Sequence, residues 1–113
     1  MLKKENRLNK DKEFDIVFKK GKSVYNSILG VKALKNNLKH SRIGIVVSTK
    51  VSKKAVSRNK IKRNIREVFK QELDNIEEGY DILFLALPSI MNPKTADIEQ
   101  SIKESLKKLR LYK

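Results

Sequence analysis

The chain of 113 residues has no cysteine, one histidine, four glycines and two prolines. Without cysteine it can form no disulfide, no thiolate zinc site and no cysteine nucleophile. The single histidine, His40, argues against a histidine-based metal centre. Long apolar runs are also missing, since the longest, Ile82 to Leu87, is far below the roughly 20 residues that span a bilayer. No apolar stretch follows the N-terminal lysines, so we expect no signal peptide, no membrane association and a cytoplasmic location.

Positive charge is abundant and unevenly distributed. The chain carries 27 Lys and Arg against 13 Asp and Glu, a net charge of +14. Residues 1–70 hold 21 of these cations and 5 of the acids, whereas residues 71–113 hold 6 and 8. With 39% apolar residues the chain can bury a modest core, so we expect a single domain over residues 1–113. The charge predicts a polyanionic partner, most simply nucleic acid.

Hydrophobic periodicity predicts three helices and three strands. The helices are expected after the caps Asn9, Ser52 and Thr95, over about 10–20, 53–75 and 96–110. The strands are expected over 23–34, 43–48 and 81–87, with a turn at Asn36-Asn37. The order α-β-β-α-β-α predicts an α+β sandwich, with helices packed on one mixed sheet. The strand–helix–strand unit from 43 to 87 is a candidate parallel crossover, whose hand the pattern does not reveal.

The longest predicted helix has a basic face. At about 100° per residue, Arg58, Lys62 and Arg66 fall within an arc of about 80°, beside an apolar stripe that contains Ile61 and Ile65. Three of the six arginines in the chain lie between positions 58 and 66. Because arginine offers a planar, bidentate donor fork, this choice favours a phosphate-binding surface. The alternative is an ordinary solvated helix face.

No catalytic or metal-binding constellation is recognisable in the sequence. The four glycines are isolated, so there is no glycine-rich phosphate loop. His40 lies beside a predicted turn. Asp11, Glu13 and Asp15 are interpreted as charges that favour the N-terminal end of the first helix. We therefore predict no catalytic residue and no metal ligand.

The segment Arg58-Asn59-Lys60-Ile61-Lys62-Arg63, followed by Arg66-Glu67, resembles the signature of the bacterial ribonuclease P protein subunit. Residues 44–51, 8–23 and 79–82 are similar to further parts of that family, in the same order, so the resemblance spans nearly the whole chain. Lys60 stands where the family has arginine. Lys32 stands at a strand position that is often aromatic, which implies that one stacking contact is missing or is replaced by a phosphate contact.

The resemblance implies a fold with an unusual left-handed β-α-β crossover, and a role in a ribonucleoprotein. Family subunits assemble with a catalytic RNA that removes the 5′ leader of precursor tRNA and holds the magnesium, without requiring a protein partner. Carried over by position, the catalytic-RNA surface comprises Arg58, Asn59, Lys60, Lys62, Arg63 and Arg66. The cleft for the single-stranded leader comprises Phe14, Phe18, Asn26, Lys50, Lys53 and Tyr112.

The same residues are compatible with other interpretations. Phe14 and Phe18 have the spacing of ordinary core residues on one helix face. A ribosomal or general RNA-binding protein would also carry a basic helix, but it would not need an exposed aromatic pair. A self-sufficient nuclease is disfavoured because the sequence lacks an acid–base or metal constellation.

Overall fold

A four-stranded sheet lies between two helices on one face and a single helix on the other. The computed structural model describes residues 3–91 and 97–113. The elements are α1 (Asp11–Lys20), β1 (Lys22–Tyr25), β2 (Leu29–Lys35), β3 (Arg42–Val46), α2 (Ala55–Glu72), β4 (Tyr80–Ala86) and α3 (Ile98–Lys108). Short 3-10 turns occupy Lys4–Asn6, Leu73–Asn75 and Pro88–Met91. Within the described ranges, no helix has the length and apolar character needed to cross a membrane.

The sheet has the order β1-β2-β4-β3. β1 pairs with β2 and β2 pairs with β4 in antiparallel fashion, whereas β3 and β4 are parallel. Two adjacent parallel strands need a crossover connection, and α2 provides it. The predicted α+β architecture with a mixed sheet is therefore confirmed, including the parallel unit between residues 43 and 87.

The single strand predicted over residues 23–34 is wrong, because this segment forms the β1–β2 hairpin. The side-chain oxygen of Asn26 accepts hydrogen bonds from the backbone N–H groups of Ile28 and Leu29, at 3.0 and 2.9 Å. Asn26 and Ser27 are common turn residues, but the turn contains no glycine or proline, which are the strongest sequence signals of a hairpin. The observed element order is accordingly α-β-β-β-α-β-α.

The first helix begins one residue later than predicted. Lys10, not Asn9, occupies the N-cap position, and its side chain does not accept a capping hydrogen bond. The carboxylate of Glu13 instead accepts from the backbone N–H groups of Asn9 and Lys10, at 3.2 and 3.1 Å. The carboxylate in the first turn thus satisfies these two donors.

The long helix is shorter than predicted at both ends. Its N-cap residue is Lys54, without a side-chain cap, and the predicted cap Ser52 lies two residues earlier. The Ser52 hydroxyl accepts a hydrogen bond from the backbone N–H of Lys54 at 3.3 Å, so it orders the approach to α2. At the other end the chain tightens into a 3-10 turn at Leu73–Asn75.

The last helix begins near its predicted start. Asp97 is its N-cap, and one of its carboxylate oxygens accepts from the backbone N–H of Gln100 at 3.0 Å. The predicted cap, Thr95, lies outside the described residues. Ile102 and Leu106 are fully buried on its inner face, while Ile98 and Leu109 are partly buried and pack against the same core.

Two hydrophobic cores lie on opposite faces of the sheet. The larger joins β2, β3 and β4 to α2 and α3, with the predicted stripe residues Ile61 and Ile65 buried in it. Phe69 of α2 and Phe84 of β4 meet there edge to face, with their ring centroids 5.8 Å apart. The smaller core lies under α1 and comprises Leu8, Val17 and Leu83, with Phe14, Leu34 and Leu85 packed against it. Since the smaller core covers only part of its face, the rest of that face stays open.

Candidate nucleic-acid interface

A basic groove of about 330 Å³ runs between α2 and the N-terminal segment. Its lining residues are Arg7, Asn59, Lys62, Arg63, Arg66, Glu67 and Lys70. Five of these seven side chains are cationic and one is acidic. The six contributed by α2 recur at helical spacing, so one face of the helix forms the wall. We call this feature the basic groove.

Arg7 supplies the opposite wall of the basic groove. It forms a parallel bridge with Ile43 of the edge strand β3, and the N–H of the next residue, Leu8, donates to the Ile43 carbonyl at 2.7 Å. The buried side chain of Asn6 donates to the Ser41 carbonyl at 2.8 Å. Hydrophobic periodicity predicted no element before residue 10, so the pairing of this segment with β3 was not foreseen. No periodicity marks the segment, because Leu8 is the single apolar residue between positions 3 and 9.

Four of the six residues expected at the catalytic-RNA surface meet in the basic groove, namely Asn59, Lys62, Arg63 and Arg66. Arg58 does not line it, because its guanidinium donates to the backbone carbonyls of Ser52 and Lys53, both at 3.0 Å. These bonds tie the loop before α2 to its first turn. Lys60 is exposed but also lies outside the groove.

A smaller groove of about 190 Å³ continues from the basic groove across the edge of β3. It shares Arg7, Lys62 and Arg66 with the basic groove and reaches Phe14 of α1. Leu8 and the β3 residues Ile43 to Ile45 complete its lining. The cationic surface of α2 is therefore continuous with the α1 face of the sheet.

Aromatic side chains lie open on that α1 face. Phe18 and Tyr25 are each 52% exposed, although both are large and apolar. The ammonium nitrogen of Lys32, from β2, lies 4.4 Å from the centroid of the Phe18 ring and 6.0 Å from that of Tyr25. Proteins that bind single-stranded nucleic acids combine exposed aromatic rings, on which bases stack, with cations that contact the backbone.

Two glycines allow aromatic rings to pack directly against the backbone of the sheet. A Cβ atom at Gly30 would overlap the ring of Tyr25, and one at Gly44 would overlap the ring of Phe14. Each ring therefore occupies the space that a side chain would otherwise fill. Phe14 is half-buried by this packing, whereas the neighbouring Phe18 projects outward.

The strand register extends the open surface towards β3. Tyr25 pairs with Gly30, Gly30 with Leu85, and Leu85 with Val46, so these four residues form one row across the sheet. Val46, at the end of the row, is 40% exposed. We call the surface formed by Phe14, Phe18, Tyr25, Lys32 and Val46 the aromatic cleft.

The six residues expected to bind the leader lie as three pairs in different parts of the structure. Phe14 and Phe18 belong to the aromatic cleft. Lys50 and Lys53 are exposed on the loop that follows β3, beyond Val46 at the end of the cleft row.

Tyr25 and Val46 complete the cleft, and the sequence pattern predicted neither. Tyr25 was missed because the β1–β2 turn, which sets it opposite Gly30, was not recognised. The exposure of Val46 depends on how the sheet is covered, which a strand pattern does not show.

Asn26 and Tyr112 are not positioned in the aromatic cleft, contrary to expectation. The amide nitrogen of Asn26 donates to the hydroxyl of Ser105 on α3 at 3.4 Å, and its oxygen is used in the hairpin turn. The Tyr112 hydroxyl donates to a carboxylate oxygen of Glu72 at 3.0 Å, in the region of the larger core. Burial, together with this hydrogen bond to Glu72, raises the pKa of Tyr112 to about 12. Both side chains therefore serve packing on the α2–α3 side of the sheet.

An ion cluster fastens α1 to the sheet beside these surfaces. Arg42 of β3 bonds to both Asp81 of β4 and Glu13 of α1. Hydrogen bonding to Asp81, which outweighs the cost of burial, raises the pKa of Arg42. Partial burial acts to raise the pKa of Glu13, but hydrogen bonds from the backbone of Asn9 and Lys10 and from Arg42 bring it below its usual value. Arg42 and Glu13 are therefore both charged at neutral pH.

The side chains that line the two surfaces are mainly cationic and aromatic. Across residues 3–91 and 97–113, no three His, Cys, Asp or Glu side chains gather in a way that could hold a metal ion. The arrangement can bind phosphates in the basic groove and stack bases in the aromatic cleft.

Comparison with known proteins identifies the family. The model of the family described as Ribonuclease P matches residues 2–110. The ribonuclease P protein component of Clostridium botulinum strain Langeland is 41% identical over 110 residues, which cover 96% of this chain and 98% of that protein. The RNase P protein of Staphylococcus aureus superposes with a TM-score of 0.86 at 37% identity, covering 96% of this chain and 98% of that one.

A more distant structure has the same fold. The RNase P protein from Thermotoga maritima superposes with a TM-score of 0.75 at 35% identity, covering 91% of this chain and 93% of that one. The sequence match, the fold and the continuous basic surface agree with one another. The chain belongs to the family of ribonuclease P protein components.

Proposed function

We propose that this protein is the subunit of ribonuclease P that binds the catalytic RNA and the single-stranded 5′ leader of precursor tRNA, promoting leader removal. The observation that carries the proposal is the aromatic cleft, where Phe18 and Tyr25 are half exposed beside Lys32. A protein that only neutralises phosphates gains nothing from open rings on its sheet. Hydrolysis and the magnesium that it needs are assigned to the RNA.

The basic groove is proposed to bind the catalytic RNA. Its five cations line a concave surface whose two walls, α2 and the Arg7 segment, are both held by packing on the sheet. Such a surface suits a folded RNA backbone, because phosphate contacts position a partner without reading its sequence. Arg63 and Arg66 add the planar fork that lysine lacks.

The aromatic cleft is proposed to bind the leader. Base stacking on an aromatic ring contributes about 1–3 kcal/mol per base and tolerates any sequence. Leaders differ from one precursor tRNA to another, so a tolerant contact fits this role. Lys50 and Lys53, on the loop beyond Val46, would follow the backbone as it leaves the rings.

Replacing Phe18 tests this function directly. In the holoenzyme reconstituted with a bacterial catalytic RNA, Phe18→Ala is expected to weaken binding of precursor tRNA about tenfold, while binding of mature tRNA is unchanged. The matched control is Ile16→Ala, since Ile16 is a similarly exposed apolar residue of α1 outside the cleft. Equal losses of affinity for precursor and mature tRNA would show that the aromatic cleft does not bind the leader.

The alternative function is a ribosomal-type or general RNA-binding protein with no part in cleavage. Reconstitution at low magnesium separates the two. A subunit of ribonuclease P should restore leader removal by the catalytic RNA, and a general RNA-binding protein should not. The protein alone is expected to leave precursor tRNA intact in magnesium, and reproducible cleavage by the protein alone would overturn the accessory role.

A further inference from the structure

A further groove lies at the end of the sheet where β1 and β4 begin and β2 ends, next to the C-terminal end of α3. Its volume is about 320 Å³. Two of its strand pairs, Lys22 with Ala33 and Lys35 with Tyr80, lie at the opposite end of the strands from the row of the aromatic cleft. It shares no lining residue with the basic groove or with the aromatic cleft. We call it the lysine groove, after Lys20, Lys22 and Lys35.

The three lysines come from three different elements and are all exposed. Lys20 ends α1, Lys22 begins β1 and Lys35 ends β2. None of the residues that line the lysine groove is acidic, and none of the ion pairs formed by residues 3–91 and 97–113 includes these lysines. Three uncompensated charges on one concave surface repel one another, so the groove favours an anion that carries more than one charge.

Gly21 fixes the backbone between two of these lysines. A Cβ atom at Gly21 would lie 2.6 Å from the carbonyl oxygen of Val17 and 3.2 Å from that of Ala33, so the chain passes tightly between α1 and β2. The N–H of Gly21 also donates to the Val17 carbonyl at 2.8 Å. Lys20 and Lys22 therefore project from a constrained connection, on either side of one close backbone approach.

The floor of the lysine groove is apolar and is held by the larger core. Leu111 is buried in that core, while Leu109 and Tyr80 are half-buried and pack against it. The chain turns sharply after α3, since Arg110 has a φ of 58° and the N–H of Leu111 donates to the Leu106 carbonyl at 3.0 Å. The floor is therefore formed before a ligand arrives, which lowers the cost of binding.

We propose that the lysine groove binds a nucleoside triphosphate group, with its base on the apolar floor beside Tyr80 and its phosphates on the three lysines. A cavity of this size, apolar inside with a few charged groups, is typical of small-molecule sites. A duplex backbone would gain nothing from the apolar floor, and a single carboxylate would not need three lysines. The proposal does not rest on the leader-binding function, because the groove lies outside the aromatic cleft.

Two sources present this chemistry, namely a free nucleotide and the 5′ end of an RNA that keeps its triphosphate. The first experiment titrates the full chain with adenosine triphosphate by calorimetry, at physiological salt, which screens weak exposed contacts. The variants are Lys22→Met and Lys35→Met, which remove one charge each at exposed positions. The matched control is Lys19→Met, since Lys19 is an exposed lysine of α1 outside the groove.

Each of the two groove variants is expected to lower the affinity for adenosine triphosphate about tenfold, the effect of one charge-assisted contact. Lys19→Met should leave the affinity unchanged. Inorganic triphosphate should bind the wild type about tenfold more weakly than adenosine triphosphate, because it has no base to cover the floor. In NMR spectra, the nucleotide should shift the amide signals of Ala33 and Leu111.

The second experiment distinguishes the two sources. A short RNA with a 5′ triphosphate is compared with the same RNA ending in a 5′ hydroxyl, in the wild type and in Lys22→Met. A gain in affinity from the triphosphate that Lys22→Met removes would identify an RNA end as the ligand. Binding of adenosine triphosphate at the groove without such a gain would identify a free nucleotide.

Equal affinities of the wild type and Lys22→Met for both probes would overturn the proposal. A loss of nucleotide affinity in Arg66→Ala but not in Lys22→Met would also overturn it, because the triphosphate would then bind in the basic groove. Equal affinities for adenosine triphosphate and inorganic triphosphate would overturn the nucleotide as the ligand class. Failure of the leader function in the Phe18→Ala experiment would leave each of these outcomes unaffected.

Discussion

The guanidinium of Arg42 forms two parallel hydrogen bonds with the carboxylate of Asp81, at 2.8 and 2.7 Å. The remaining nitrogen of Arg42 bonds to Glu13, and the Asn36 amide donates to Asp81 at 2.8 Å. One cluster therefore connects β3, β4, α1 and the turn after β2. Arg42 and Asp81 lie at the opposite end of β3 and β4 from the row of the aromatic cleft. The cluster positions α1, and with it Phe14 and Phe18.

Asp81→Asn is expected to destabilise the protein by about 3 kcal/mol, because it leaves the partly buried Arg42 without its principal counter-charge. The free energy of unfolding in urea measures this loss. Asp74→Asn is the control, since Asp74 is exposed and makes no ion pair within the described residues. Equal stability of the two variants would show that the Arg42 cluster contributes nothing.

The contribution of Glu13 to stability should depend on pH. Its pKa is lowered in the folded state, so it adds stability above its ordinary pKa of 4.5, and this is lost as pH falls through the folded value. Glu13→Gln should cost about 1 kcal/mol at pH 7 and progressively less in acid. Asp15→Asn, an exposed change on the same helix, is the control. The free energy of unfolding is measured for both variants and the wild type over this pH range. A difference between Glu13→Gln and the wild type that became larger below pH 4.5 would contradict this expectation.

Gly30→Ala should displace the Tyr25 ring, because the new Cβ would occupy the same space. We expect affinity for leader-bearing tRNA to fall about tenfold, comparable to the loss of one stacked base, with mature tRNA unaffected. Adding Tyr25→Ala to this variant should cause little further loss of affinity, since both changes remove the Tyr25 ring from its position over Gly30. Fully additive losses would show that Gly30 acts independently of Tyr25.

Arg7→Ala and Arg66→Ala should each weaken binding of the catalytic RNA and reduce its salt slope by about 0.9, as expected for one phosphate contact to a duplex. The two arginines line the same groove from opposite walls. Lys108→Ala, on α3 and outside the groove, should leave the slope unchanged. An unchanged slope for Arg7→Ala would restrict the RNA surface to α2.

Much of the fold could be predicted because its signals are local. The periodicity of Ile61 and Ile65 identified the buried face of α2, and the strand predicted over 43–48 overlaps β3. The β1–β2 turn escaped prediction because Asn26 makes it with side-chain hydrogen bonds in place of a glycine. The caps Asn9 and Ser52 were wrong by one or two residues, since Glu13 satisfies the first set of donors and Ser52 acts before the helix.

The residues of the candidate site likewise include some that local sequence patterns predict and others that only the folded structure reveals. The amino-acid sequence by itself determined the basic face of α2 and the family, because helical spacing and a contiguous motif need no tertiary partner. Only the tertiary structure decided that Arg7 faces α2 and that Tyr25 lies exposed over Gly30. It also decided that Tyr112 lies away from the cleft. The physical reason is that strand register and the packing of the N-terminal segment join residues far apart in the chain, whereas local periodicity sees only a few residues at a time.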